Sequence, residues 1–256
     1  MNTKSLPEVL DIIKSHGWGR LDDDNIVPLH REEEPMKDLS AQEFSDEAKL
    51  HPERYVHIAQ MVKNFADESG ITNPVIVDFG CGPGVLTSMI AKLIPNATVI
   101  GTDLSEDMLR IARKNAEEQN LNIDFFQHDS HKNFSLEGKT VDILVSRNML
   151  HRLASLEAGL TAMANTVKKQ GGIVLNVSFR NLNDLDVEAQ KHFVPEFQIR
   201  NDFPRLQEAW VFALLNAPTL NQYETAAKKA SEATSLKSVE VTTDHFHEVY
   251  VTLKNE

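Results

Sequence analysis

The middle of the chain alternates short apolar runs with stretches of helical periodicity. Runs rich in Val and Ile and bounded by Asn, Pro, Gly or Asp predict five β-strands: Val75–Phe79, Thr98–Thr102, Ile123–Gln127, Val141–Ser146 and Ile173–Phe179. Between them the pattern predicts helices at Val85–Leu93, from an N-cap at Ser105 to about Gln119, and over Ala154–Lys169. Repeated strand–helix units of this kind predict an α/β fold in which a parallel sheet carries helices on both faces.

The flanking segments carry different patterns. Residues 1–50 read as weak helices around a polar, acidic loop (Asp22–Asn25 and Glu32–Pro35), and Glu53–Glu68 predicts a stronger amphipathic helix that presents Tyr55 on its apolar face. Asn181–Ala217 predicts an irregular helical insertion rich in aromatic residues. After it, Thr219–Ala233 predicts a helix, and Val239–Thr243 and Val249–Leu253 alternate as two antiparallel strands do. We find neither a repeat nor a low-complexity linker, so a single domain is expected over residues 1–256.

Composition narrows the class of protein. The 256 residues carry a formal charge of −12, which argues against a basic surface for nucleic acid. The single cysteine, Cys81, excludes a disulfide framework and a zinc site built on several thiolates. No apolar run is long enough to span a bilayer and no signal peptide is evident, so we expect a soluble, cytoplasmic protein without a membrane or nucleic-acid partner. The charge is uneven: residues 1–70 carry −7, residues 71–180 are neutral, and residues 181–256 carry −5.

A glycine-rich loop joins the first predicted strand to the next helix. It reads Asp78-Phe-Gly80-Cys-Gly82-Pro-Gly84, in which each glycine allows the backbone to approach a ligand closely. The helix start that follows presents free N–H groups. The spacing is G-x-G-x-G and differs from the dinucleotide fingerprint G-x-G-x-x-G. A tight turn without a ligand would also explain these glycines.

Two more carboxylates end the next two strands. Asp103 follows the second strand, from which a carboxylate can accept hydrogen bonds from a ribose diol. Asp129 follows the third strand, from which it can accept from the exocyclic amine of an adenine. Ligands of open α/β sheets bind at the carboxyl ends of the strands, where these groups converge. Structural roles stay open, since Asp103 also precedes the Ser105 cap and Asp129 also begins a loop.

As a set, these motifs resemble the class I, seven-stranded S-adenosylmethionine-dependent methyltransferases, over roughly residues 55–180 and 219–254. The resemblance implies a Rossmann-like, doubly wound mixed sheet of seven strands whose last strand is antiparallel. It also implies a helical N-terminal cap (1–70), a cofactor-binding core (71–180), a helical lid insertion after strand five (181–217) and a closing α-β-β unit (218–256).

The resemblance also assigns roles to individual residues. It implies that S-adenosyl-L-methionine is bound by Asp78, Gly80, Cys81, Gly82, Gly84, Asp103, Leu104, Asp129, Ser130, Arg147 and Tyr55. Asp142–His151 is similar to the segment that faces the transferred methyl group, which makes Asn148 and His151 the candidate catalytic residues. His151 is a candidate general base, and a structural position at the rim of the site is the competing interpretation. For Tyr55, plain core packing competes with cofactor contact.

The expected function is therefore methyl transfer to a small molecule by in-line displacement, which leaves S-adenosylhomocysteine. The sequence after the fourth strand, Ser146-Arg147-Asn148-Met149, lacks the motif of amino-group methyltransferases, and Arg147 would repel the magnesium of catechol-type enzymes. No metal site is predicted, because the pairs His128/His131 and His245/His247 lack further ligands. An NAD-dependent oxidoreductase and a non-catalytic binding protein are the alternatives. The acidic flanks favour a neutral or cationic acceptor over a polyanionic one.

Overall fold

The computed structural model describes residues 7–22, 25–28, 41–199, 202–244 and 248–255. The predicted polar loop at Glu32–Pro35 and the pair His245/His247 lie outside these ranges. In the described part of the chain, no helix is both long and apolar enough to cross a membrane.

The N-terminal region differs from the expected helices and loop. Helix α1 (Pro7–Ser15) is followed by a hairpin of β1 (Gly19–Asp22) and β2 (Asn25–Pro28), and then by helices α2 (Ala41–Leu50) and α3 (Glu53–Ser69). The polar segment Asp22–Asn25 therefore joins two strands, not two helices. The four-residue strands are too short to show a clear alternation of polar and apolar positions, so sequence patterning missed the hairpin.

A seven-stranded mixed sheet forms the centre, as predicted. In chain order its elements are β3 (Val75–Phe79), α4 (Val85–Leu93), β4 (Thr98–Asp103), α5 (Glu106–Glu118), β5 (Asp124–Gln127), β6 (Ile143–Arg147), α6 (Leu156–Thr166), β7 (Ile173–Phe179), α7 (Val187–Gln190), α8 (Phe193–Ile199), α9 (Pro204–Asn216), α10 (Leu220–Ala233), β8 (Ser238–Thr243) and β9 (Glu248–Lys254). The strands lie side by side in the order β5-β4-β3-β6-β7-β9-β8. β3 to β7 are parallel, and β9 is antiparallel to both β7 and β8.

Local signals account for where these elements begin. The Ser105 side chain accepts a hydrogen bond from the Met108 N–H and caps α5, as expected. Thr219 forms a capping box with Gln222 at the start of α10. Strand β6 starts two residues later than predicted, because Val141 forms only an isolated bridge to Val167.

Alternating side chains of the strands feed two cores, one on each face of the sheet. Ile76 and Val145 pack with Ile58 and Val62 of α3, whereas Val77 packs with Leu160 of α6 on the other face. This two-sided burial explains why the central strands read as nearly continuous apolar runs.

A third core joins the N-terminal region to the insertion after β7. Ile13 and Ile26 from the N-terminal region pack with Phe193 and Trp210 of the insertion. The Asn183 side chain accepts a hydrogen bond from the Ile26 N–H at 2.7 Å and donates one to the Ile26 carbonyl at 2.8 Å. The N-terminal hairpin and the insertion therefore form one structural unit above the sheet.

Candidate active site

The strand order reverses between β3 and β6, because β3 is followed along the chain by β4 on one side and β6 by β7 on the other side. Such a switch point opens a crevice at the carboxyl edge of the sheet. Gly80 begins the glycine loop there with φ +67°, and a Cβ at this position would lie 2.6 Å from the Met149 Cγ atom. The loop backbone after β3 thus lies directly against the segment that follows β6.

Asp78 ends β3 inside the protein. Its residue surface is 1% exposed, and its Oδ2 atom accepts a hydrogen bond from the Thr87 hydroxyl at 2.6 Å. Burial raises the pKa of Asp78 to about 7, the Thr87 hydrogen bond opposes the shift, and the nearby Asp103 charge adds to it. Asp78 is thus a carboxyl group poised near neutrality beneath the glycine loop.

Asp103 ends β4 and ties the glycine loop to the next helix. Its two oxygens accept hydrogen bonds from the Gly82 N–H and the Ser105 N–H, both at 2.9 Å. Burial raises the pKa of Asp103, while these backbone hydrogen bonds oppose the shift. Leu104, the next residue, is 67% exposed although it is a large apolar side chain. The glycine loop, the Asp103 carboxylate and the exposed Leu104 side chain therefore lie together.

Asp129 follows β5 and is held in a local turn. Its Oδ1 atom accepts from the His131 N–H at 3.1 Å, and its Oδ2 atom lies 3.1 Å from the Lys132 ammonium group. Hydrogen bonds from His131 and then Lys132 lower the pKa of Asp129. The adjoining Ser130 is buried. The structural interpretation of Asp129 therefore has direct support, and its contact with a cofactor stays a prediction.

Cys81 contributes its backbone to the glycine loop, and its side chain packs in the core. Its N–H donates to the Thr102 carbonyl at 2.8 Å, and its side chain packs with Leu109 and Phe125. Burial raises the pKa of the thiol well above its usual value. The side chain thus belongs to the core beside β4, and only the backbone of Cys81 is left to face a ligand.

Tyr55 and Arg147 are brought together on the α3 side of the sheet. The Arg147 guanidinium carbon lies 4.6 Å from the centre of the Tyr55 ring, and one nitrogen forms a 3.0 Å ion pair with Glu248 of β9. Both charged side chains are nearly buried. These contacts give Arg147 and Tyr55 a structural role beside Asp78, which the resemblance did not indicate.

Asn148 and His151 follow β6 and carry polar atoms without partners. Asn148 has φ +54°, and its buried Oδ1 atom has no hydrogen bond to any residue that the structure describes. Both ring nitrogens of His151 are likewise enclosed and unpaired among the described residues, and the ring lies 5.0 Å from the Phe179 ring. Burial, and then the charges of Arg152 and Arg147, lower the pKa of His151 well below its usual value. The site thus holds a neutral imidazole with free nitrogen atoms.

Several residues of this region escaped the sequence interpretation. Thr87 donates to Asp78, nine residues before it, and Glu248 pairs with Arg147, 101 residues before it. Ser146 and Asn176 are register partners on β6 and β7, and each buries an unpaired polar atom. A polar residue inside an otherwise apolar strand was the available signal for the last two. In the ranges that the structure describes, no three His, Cys, Asp or Glu side chains form a group able to hold a metal ion.

The sequence of this chain is similar to the sequences of known methyltransferases. Residues 76–171 match a family model described as a methyltransferase domain. The ubiquinone biosynthesis O-methyltransferase of Dinoroseobacter shibae is 32% identical over 131 residues, which is 49% of this chain and 51% of that protein. The protein of the same name from Klebsiella pneumoniae is 26% identical over 139 residues, 54% of each chain. The chain therefore aligns with about half the length of the curated relatives it matches.

Solved structures extend the likeness to most of the fold. The plantazolicin methyltransferase BpumL in complex with S-adenosylhomocysteine aligns with a TM-score of 0.69 at 14% identity and covers 87% of this chain and 93% of that one. A putative S-adenosylmethionine-dependent methyltransferase from Methanococcus maripaludis aligns at 0.63 and 22% identity, with 84% and 91% covered. Residues 76–171 are thus a methyltransferase domain, and the chain has the fold of the class I, seven-stranded S-adenosylmethionine-dependent methyltransferases.

Proposed function

We propose that the chain binds S-adenosyl-L-methionine at the carboxyl ends of β3, β4 and β5 and transfers its methyl group to a small molecule. The observation that carries this proposal is the loop Gly80–Gly84, which is pinned by the Asp103 carboxylate through Gly82 and lies against Met149. A side chain at Gly80 would close this approach, so the backbone itself forms the wall of the site.

The residues present fit this cofactor. Asp78 and the glycine loop would hold its amino-acid end, Asp103 its ribose, and Asp129 with Ser130 its adenine. The exposed Leu104 side chain offers an apolar surface for the adenine ring. Arg147 and Tyr55 would shape the wall on the α3 side through their stacked contact.

When bound, the cofactor supplies an electrophilic methyl group on a sulfonium sulfur, so the protein has to position an acceptor in line with it. Asn148 and His151 follow β6, next to the loop that would hold the cofactor, and their unpaired polar atoms are available to an acceptor. The lowered pKa keeps His151 neutral at physiological pH, so its free ring nitrogen can take the acceptor's proton. The insertion over this edge would exclude water.

Calorimetric titration with S-adenosylhomocysteine tests the cofactor site. We expect Asp103→Ala to weaken binding by about 10-fold or more, since it removes a charged carboxylate that would accept hydrogen bonds from the cofactor. Asp107→Ala is the matched control, because Asp107 lies in the first turn of α5 with 78% of its side chain exposed. A melting curve of Asp103→Ala verifies that the variant is folded. Equal affinity of Asp103→Ala and the wild type would show that the site assignment is wrong.

Transfer itself is tested with an isotopically labelled methyl donor and a set of metabolites. The expected result is one labelled product and an equal amount of S-adenosylhomocysteine. Stabilisation of the protein by NAD in place of S-adenosylhomocysteine, in a thermal-shift comparison, would favour the oxidoreductase alternative. Binding of S-adenosylhomocysteine without any labelled product would favour a non-catalytic binding protein.

A further inference from the structure

Arg180 is a buried arginine that has no partner among the described residues. It is the first residue after β7, its surface is 8% exposed, and its Nε atom is enclosed without a hydrogen bond. The described part of the chain offers its guanidinium group neither a hydrogen bond nor an ion pair. Burial of an unpaired cation is costly, because the charge loses its water and gains no counter-charge. A buried arginine without a counter-charge is therefore a candidate for binding an anion.

The position of Arg180 connects it with the candidate active site. It follows β7 at the carboxyl edge of the sheet, and β7 pairs with β6, which leads to Asn148 and His151. Phe179, the residue before it, packs against the His151 ring. Arg180 therefore stands at the end of the strand next to the one that carries the candidate catalytic residues.

Arg180 adjoins an apolar core in the chain. Phe179 and Leu182, on either side of it in the chain, belong to the core of the insertion together with Phe193 and Trp210. Phe193 and Trp210 stack with their ring centres 5.2 Å apart. An acceptor bound beside Arg180 would lie next to aromatic and aliphatic side chains and a few unpaired polar groups, which is the usual character of a small-molecule site.

We propose that Arg180 binds a carboxylate of the methyl acceptor, so that the acceptor is an apolar, aromatic-sized molecule with one acid group. This inference rests on the proposed function. A guanidinium group presents a planar fork of donors that matches the two oxygens of a carboxylate. One buried arginine balances one negative charge, which favours a monocarboxylate over a doubly charged phosphate ester.

This inference differs from the expectation of a neutral or cationic acceptor that the acidic flanks suggested. Exposed side-chain charges act through water, where salt screens them over about 10 Å. A buried guanidinium at the site acts at short range and without that screening. The local group therefore decides the charge of the ligand.

Ligand titrations on the full chain, with S-adenosylhomocysteine present, test the proposal. The probes are benzoate and phenylacetate, each paired with its neutral amide, benzamide and phenylacetamide. We expect the wild type to bind the acids more tightly than the amides. Arg180→Gln should weaken the acids by about 10-fold or more and leave the amides unchanged, and Arg180→Lys should restore part of the loss. Arg110→Gln is the control, because Arg110 lies on α5 with 72% of its side chain exposed.

Two further measurements separate the possible failures. The affinity for S-adenosylhomocysteine should be the same in Arg180→Gln and the wild type. If the wild type does not bind S-adenosylhomocysteine, the proposed function fails; if it does but shows no preference for the acids, only the inference on Arg180 fails. Arg180→Gln should also melt at or above the wild-type temperature, because it removes an unpaired buried charge. A markedly lower melting temperature would assign Arg180 a structural role and overturn the proposal.

Discussion

Gly80 offers a sharp test of how closely the glycine loop lies against the segment after β6. A Cβ added at Gly80 would lie 2.6 Å from Met149 Cγ and 2.9 Å from Met149 Cβ, whereas carbon atoms in contact normally stay about 3.5–4.0 Å apart. The overlap should cost about 1–3 kcal/mol, as other overpacked cores do. The backbone adds about 1–2 kcal/mol, since φ is +67° and only glycine adopts this region freely.

Gly138→Ala is a matched control for this substitution. Gly138 has φ +71°, almost the same as Gly80, but a Cβ there would meet nothing within 4 Å. Its expected cost is the backbone contribution alone, about 1–2 kcal/mol. In urea denaturation, Gly80→Ala should therefore lower the free energy of unfolding by about 1–3 kcal/mol more than Gly138→Ala does.

The overlap also has a functional consequence. Met149 lies between Asn148 and Leu150, so a shift of Met149 should displace Asn148 and His151 and lower kcat of Gly80→Ala. In a double-mutant cycle, Met149→Ala removes the Met149 Cγ atom and keeps its Cβ atom, so it should relieve part of the overlap, with a coupling of about 0.5–3 kcal/mol. Equal stability of Gly80→Ala and Gly138→Ala, or a coupling near zero, would refute the close approach of the two segments.

Three further predictions follow from the charged and titratable groups. Asp78→Asn should flatten the pH dependence of stability. A carboxyl pKa raised to about 7 adds up to about 4 kcal/mol of stability at low pH, and this contribution is lost between about pH 4 and pH 7. In urea denaturation without cofactor, the free energies of unfolding of the wild type and the variant should therefore diverge over this window. Glu248→Gln should lower the free energy of unfolding by about 3 kcal/mol, because Arg147 then stays buried without its counter-charge. Glu157→Gln, which breaks an exposed pair with Lys229, should cost less than about 1 kcal/mol, and equal costs for the two would contradict the difference in burial. His151→Gln should lower kcat by about 100-fold or more, while the affinity for S-adenosylhomocysteine stays within about 2-fold. The kcat of the wild type should fall only on the acid side of pH 6.5, because the pKa of His151 is lowered. An unchanged kcat in His151→Gln would exclude His151 as the base.

The sequence was informative where a feature depends on residues close together in the chain. The strand Val75–Phe79, the helix Val85–Leu93 and the Ser105 cap lie where the pattern predicts them, because strand alternation, glycines and caps are local signals. The convergence of the glycine loop and Asp103 also followed from a general rule, since parallel strands bring their carboxyl ends to one edge.

The sequence does not predict contacts between residues that lie far apart in the chain. The pair between Arg147 and Glu248 joins residues 101 positions apart on different strands, and Arg180 is buried although it directly follows the end of a strand. Local patterning carries no information on such pairings, so the sequence indicates a ligand contact for Arg147 and no role for Arg180. The interactions of Asp129 differ, because its partners His131 and Lys132 are near neighbours in the chain. An Asp at the start of a loop already indicates such a turn.

The two hydrogen bonds between Ile26 and Asn183 have a consequence for the order in which the chain assembles. The first 28 residues leave the ribosome long before residue 183 is made, so the N-terminal hairpin has to wait for its partner while more than half of the protein is synthesised. The apolar side chains of α1, Val9 and Ile13, have no core to enter until the insertion exists. The N-terminal segment, made first, therefore completes the structure last, and removal of residues 1–28 should expose the apolar underside of the insertion.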